Sequence, residues 1–116
     1  MDEIVDDFSI YISSEKGLSV HSVEAYRRDI LYFVNFLSKS EVHDITRVNQ
    51  GHIVSHLANL KSQEYASSSI SRALIAVKVF FRFLKRERIV ETDVALYLES
   101  PKLWQLIPDV LSGEEI

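Results

Sequence analysis

Residues 67–88 read SSSISRALIAVKVFFRFLKRER, a run without glycine or proline and without an acid before Glu87. At about 100° per residue on an α-helix, Ile70, Ala73, Leu74, Ala76, Val77, Phe80, Phe81, Phe83 and Leu84 fall on one broad face. Ser67, Ser71, Lys78, Arg82, Lys85 and Arg86 fall on the opposite side, with Arg72 at its edge. The spacing predicts one long amphipathic helix ending near Arg88, with Ser67, Ser68 and Ser69 as alternative N-caps. A helix so rich in buried aromatics needs other helices to cover it.

The flanking sequence supplies them. Ile4, Val5, Phe8, Tyr11 and Ile12 repeat at helical spacing, behind acids that suit a helix N-terminus, and Gly17 stops that helix. Ser19 caps a second helix, whose apolar positions are Val23, Tyr26, Ile30, Phe33, Val34 and Leu37. Residues 38–50 read as a polar turn, and Ile53, Val54, Leu57 and Leu60 mark a third helix. Thr92 is positioned to cap a short fifth helix through Leu98. No alternating strand pattern or internal repeat competes, so the expected fold is all-α, a compact bundle of four to five helices.

Pro101 and Pro108 flank Trp104 and break any regular helix there. Residues 99–111 are therefore an apolar linker, and the bundle is a domain over residues 1–98. Ser112 and Glu115 form a capping box at the start of another helix. Residues 112–116 are accordingly expected to open a second, truncated domain, which makes the chain a fragment.

Composition narrows the class. Hydrophobic residues make up 47% and charged residues 26% of 116 positions, ordinary for a soluble domain. The absence of cysteine excludes a disulfide framework and a thiolate metal site. The acidic N-terminus is unlike a secretory signal, and no apolar run approaches the ~20 residues of a membrane span. The expected location is cytoplasmic, with no membrane partner.

The net charge of −4 hides a segregation that matters for partners. Residues 1–18 carry five acids and one base, and residues 89–116 six acids and one base, whereas residues 49–88 carry seven bases and two acids. Exposed helices are normally decorated with paired charges. The single-sign ridge of the fourth helix instead suits phosphate, which also accepts hydrogen bonds at a serine-rich helix N-terminus. His21, Arg28, Tyr32 and Asn35 give the second helix a matching polar face, although any exposed helix carries such residues.

No catalytic residue emerges. His52 and His56 have the spacing of two metal ligands but lack an HExxH glutamate and a third ligand, so neither metal nor cofactor is expected. No phosphate-cradling glycine loop, no Ser–His–acid set and no small-molecule site can be assembled. Tyr11 and Tyr26 fall on apolar faces and read as core.

Three stretches together resemble the tyrosine recombinase (phage integrase) family. LSVHSVEAYRRDILYFVNFL (18–37) is similar to its opening helix signature, with Ser19, Ser22, Tyr26, Arg27, Arg28, Asp29 and Ile30 at matching positions. SSSISRALIAVKVFFRFLKRERIVETD (67–93) is similar to its long Phe-rich helix, and SPKLWQLIPDVLSGEEI (100–116) to the linker and first catalytic-domain helix of Xer-type members. The resemblance implies a SAM-like core-binding domain, one half of a clamp on a double-stranded DNA recombination site. The catalytic residues belong to the other half and match no position here. Carried over residue by residue, His21, Ser22, Arg28, Ser68, Ser69 and Arg72 lie where the family meets DNA. Lys78, Arg82 and Lys85 belong to the basic ridge, and Lys102 is the linker's cation. The implied whole protein cuts and rejoins DNA to resolve chromosome dimers, working as a tetramer with a recombinase protomer of the same family.

Three features depart from that pattern. Val94 and Trp104 stand where the family often has proline, and the acidic first helix must face away from DNA or meet another protomer. The rival reading is a helical protein–protein interaction module without a DNA role, since such bundles serve both purposes.

Overall fold

The computed structural model describes residues 2–98. It contains four α-helices, α1 (Asp2–Ser14), α2 (Val20–Lys39), α3 (Gln50–Ser62) and α4 (Ser67–Arg86), with a single 3-10 turn at Ile45–Arg47. No strand occurs among the described residues. The expected linker and second-domain start, with Lys102, Ser112 and Glu115, lie outside them.

Each boundary has a local cause. α1 buries Val5, Phe8, Tyr11 and Ile12 and is followed by Gly17 at φ +66°, a conformation that costs a Cβ-bearing residue about 1 kcal/mol or more. α2 begins as its sequence predicts, with the Ser19 hydroxyl accepting from the Ser22 amide at 3.2 Å. α3 starts at a reciprocal box: the Asn49 side chain accepts from the His52 amide, and His52 Nδ1 accepts from the Asn49 amide, both at 3.0 Å.

α4 is the axis of the molecule and packs against all three other helices. The nine apolar residues assigned to its inner face are all buried. Phe80 meets Phe8 edge-on, with ring centroids 5.2 Å apart, and Phe81 turns toward Phe33 at 6.3 Å. Tyr11 tilts against Phe83 at 5.1 Å. Such contacts add to the stabilisation from burying each ring, about 2–3 kcal/mol apiece.

Four expectations need correction. No fifth helix forms among the described residues. Asp93, not Thr92, supplies the capping oxygen by accepting from the Ala95 amide at 3.0 Å, and the chain then makes only i→i+3 turns from Leu96 to Asp93 and from Leu98 to Ala95. None of the three serines caps α4, whose N-cap is Ala66 without a side-chain bond. That helix stops at Arg86, because Arg88 turns to φ 62°. The polar turn before α3 also contributes to the core: Asp44 caps the 3-10 turn through Thr46, and Ile45 and Val48 pack inward.

Candidate nucleic-acid interface

Asp29 sits on the apolar stripe of α2, between Tyr26 and Phe33, and is 6% exposed. A carboxylate there requires a partner, and Arg72 of α4 provides it. Arg72 Nε donates to Oδ2 at 2.8 Å and Nη2 to Oδ1 at 3.1 Å. The bond to Asp29 raises the Arg72 pKa further above its ordinary value, so this guanidinium is charged throughout the accessible pH range.

The pair forms one wall of a cleft of about 140 Å³, to which Arg28, His56, Tyr65 and Ser69 also contribute. Arg28 is exposed, and no acid lies within ion-pair distance of it among the described residues. Because α4 lacks a side-chain cap, the amides of Ser67, Ser68 and Ser69 make no hydrogen bond within the described residues. His56 is 2% exposed, tilted against Phe33 and Phe36, and its Nδ1 has no partner. Burial lowers its pKa to about 4, so the ring is neutral near pH 7.

The basic ridge is less uniform than its sequence suggests. Lys78 is half-buried and donates from Nζ to the Leu98 carbonyl at 2.6 Å. Arg86 reaches back to Glu15 at 2.6 Å and lies 5.2 Å over the Tyr11 ring. Arg82 and Lys85 remain exposed, without an acid in ion-pair range among the described residues, and border a depression also lined by Glu91, Asp93, Leu96 and Tyr97.

The residues carried over from the family thus separate into groups. Arg28, Ser69 and Arg72 share the cleft, with the exposed Ser68 on the same first turn of α4. His21 and Ser22 stand at the start of α2, where the Ser22 hydroxyl accepts from that of Ser19 at 3.2 Å. Ser68 and Arg82 lie fourteen positions apart, about 40° from each other around α4, so Arg82 falls on the same side of the helix as Ser68.

Sequence reasoning missed Asp29 as the anchor of Arg72, His56 as buried and Tyr65 as part of the cleft. An acid on an apolar stripe was the available signal for the first. His56 carries the same kind of signal, falling between Ile53 and Leu60 on the apolar stripe of α3, whereas nothing local identifies Tyr65. Among the described residues no group of three or more metal-ligating side chains assembles, and no helix is long and apolar enough to cross a membrane.

Comparison with known proteins identifies the family. The family described as phage integrase, N-terminal SAM-like domain, matches residues 5–88. Tyrosine recombinase XerD of Chlamydia trachomatis is 33% identical over 97% of this chain and 36% of its own length. Tyrosine recombinase XerD of Staphylococcus aureus is 30% identical over 100% of this chain and 39% of its own. Tyrosine recombinase XerC of Herpetosiphon aurantiacus is 29% identical over 100% and 38%. The chain therefore spans little more than a third of these relatives. No solved structure matches it.

Proposed function

We propose that this chain, which belongs to the phage integrase family through its N-terminal SAM-like domain, grips double-stranded DNA as the non-catalytic half of a tyrosine recombinase. The observation that carries this reading is the cleft that brings Arg28 of α2 to Ser69 and Arg72 at the uncapped start of α4. Further along α4, Arg82 and Lys85 are exposed and have no acid in ion-pair range among the described residues. Phosphate contacts there supply most of the affinity, and the polar residues of α2 supply limited base readout in the major groove. The acidic outer face of α1, with Glu3 and Asp7 exposed, points to a neighbouring protomer rather than to DNA. In the whole protein, clamp closure positions the scissile phosphate for chemistry performed elsewhere. Its role is cutting and rejoining DNA for chromosome partition in the cytoplasm, with a second recombinase of the same family.

The test is fluorescence anisotropy of a labelled Xer-type half-site titrated with this chain at low and at physiological salt. Salt-dependent binding that falls in the Arg82→Gln/Lys85→Gln variant is the expected result. If the chain binds no duplex at low salt, even when extended through its catalytic domain, the recombinase reading fails and a protein-interaction module takes its place.

A further inference from the structure

We infer that the pocket between α2 and α3 is a slot for one unpaired nucleobase, in which Tyr32 and Tyr65 supply stacking surface and the side-chain amides of Asn35, Asn59 and Gln63 meet the edge of the base. The inference goes beyond the DNA-binding reading, in which bases stay stacked inside a duplex, and it does not use the cations or the start of α4.

Local geometry builds the slot. α3 ends at Ser62, and Glu64 then turns to φ 66°, so that the Tyr65 amide donates back to the Leu60 carbonyl at 3.2 Å. That closure holds the backbone of Tyr65 against the last turn of α3. Tyr32 borders the same pocket from α2, one turn before Phe36. The enclosed space is about 230 Å³, with Phe36 and Leu60 as apolar lining. Pockets for drug-sized ligands run to roughly 300–1,000 Å³, so a single flat ring system is the scale that fits.

The chemistry of the lining selects the ligand. Tyr32 is 46% and Tyr65 38% exposed, and neither ring contacts another aromatic side chain among the described residues. Every base has a π-face, and tyrosine rings left open beside apolar side chains are the kind of platform on which bases stack. Three carboxamides and one cation, Lys39, also line the pocket, and no carboxylate does. Among the described residues none of the three carboxamides makes a side-chain hydrogen bond. A carboxamide presents a donor and an acceptor side by side, which matches the edge of a base, adenine above all. An amine would call for acids and an isolated phosphate for several cations. The pocket offers neither, and its single Lys39 is left for the phosphate attached to a base.

A base reaches such a slot only when it is out of a helix. A free nucleotide and an extrahelical base of a bound strand both satisfy the same contacts.

The experiment has two arms. In the first, the ¹⁵N-labelled chain is titrated with adenosine monophosphate and, separately, with ribose 5-phosphate, which carries the phosphate without the base, at matched ionic strength. Shifts at the Asn59 and Gln63 side-chain amides are expected with the nucleotide alone. Affinity is expected to fall about tenfold in Tyr65→Leu, the scale of one lost base–aromatic stack. Tyr32→Leu tests the other wall and serves if the first variant does not fold, with circular dichroism as the check. Equal shifts with both ligands, shifts with neither, or unchanged affinity in the folded variants overturn the slot.

The second arm compares a duplex carrying one bulged 2-aminopurine with its fully paired counterpart. Quenching of the bulged base by the chain, and its loss in Tyr32→Leu, assigns the slot to an extrahelical base. Nucleotide shifts without quenching assign it to a free nucleotide. Binding of the fully paired duplex is read separately, so its absence removes the DNA-binding reading while the first arm still decides the slot.

Discussion

Asp29 and Arg72 lie 43 positions apart in the chain and meet through two hydrogen bonds that join α2 to α4. The partners are unequally buried: the Asp29 side chain is 7% exposed and that of Arg72 40%. That asymmetry determines what happens when either is removed.

Arg72→Met leaves a carboxylate in the interior without its partner. Breaking a fully buried pair this way costs about 3–5 kcal/mol, and partial exposure of Arg72 reduces that to about 2–3 kcal/mol. Asp29→Asn leaves a guanidinium that water still reaches and is expected to cost less. Urea denaturation of both variants and of the double variant checks the order. A double variant no more stable than Arg72→Met argues against a stranded Asp29 charge.

His56 makes stability fall in mild acid. Its folded pKa of about 4 lies below the ordinary 6.5, so between those values the unfolded chain binds more protons than the folded one. The contribution is fully present above pH 6.5 and is lost as pH falls toward 4, about 3 kcal/mol in all. His56→Leu removes the titrating group and is expected to flatten this part of the profile. Denaturation midpoints measured from pH 7.5 to pH 4.5 decide it, with an unchanged slope in the variant counting against His56 as the source.

Ala66 offers a position where stability and binding oppose each other. Ala66→Asp places an acceptor over the uncapped amides of α4, and a good N-cap is worth about 1 kcal/mol. The same carboxylate repels a DNA phosphate that approaches the start of α4. A raised melting temperature with duplex affinity several-fold weaker is expected. Equal affinity would mean that the start of α4 takes no part in binding.

Lys78 and Arg82 separate structural from solvent-facing cations on one helix. Lys78→Met loses the 2.6 Å bond to the Leu98 carbonyl and loosens the turns at residues 93–98. Its main effect is lost protection from hydrogen exchange there. Arg82→Gln leaves those turns protected and reduces the slope of log K against log salt by about one. Exchange and salt titration on both variants give the comparison, and a slope change confined to Lys78→Met reverses the assignment.

Phe80 tests the core. It is 1% exposed and edge-on to Phe8, and Phe80→Ala is expected to cost about 3–5 kcal/mol. Guanidinium unfolding with an unchanged m-value identifies a loss of packing rather than a change of fold.

The helices were legible in the sequence because their determinants are local. The apolar residues of α4 recur with the helical period, Ser19 reaches the Ser22 amide within one turn, and Gly17 adopts its backbone angle without long-range help. Family membership was legible for the same reason, since it is carried by residue types at fixed spacing. The start of α4 and the absent fifth helix were not. Three serines and a threonine are each competent caps, and which oxygen reaches an open amide depends on the path by which the chain enters.

The fate of each charge belongs to tertiary structure alone. Arg72, Lys78, Arg82, Lys85 and Arg86 are similar cations on one helix, yet packing commits Arg72 to Asp29, Lys78 to the Leu98 carbonyl and Arg86 to Glu15. Helical periodicity establishes which side of α4 a cation occupies. It carries no information about the oxygens that α1, α2 and the C-terminal turns bring within 3 Å, because those distances are set by how the helices cross.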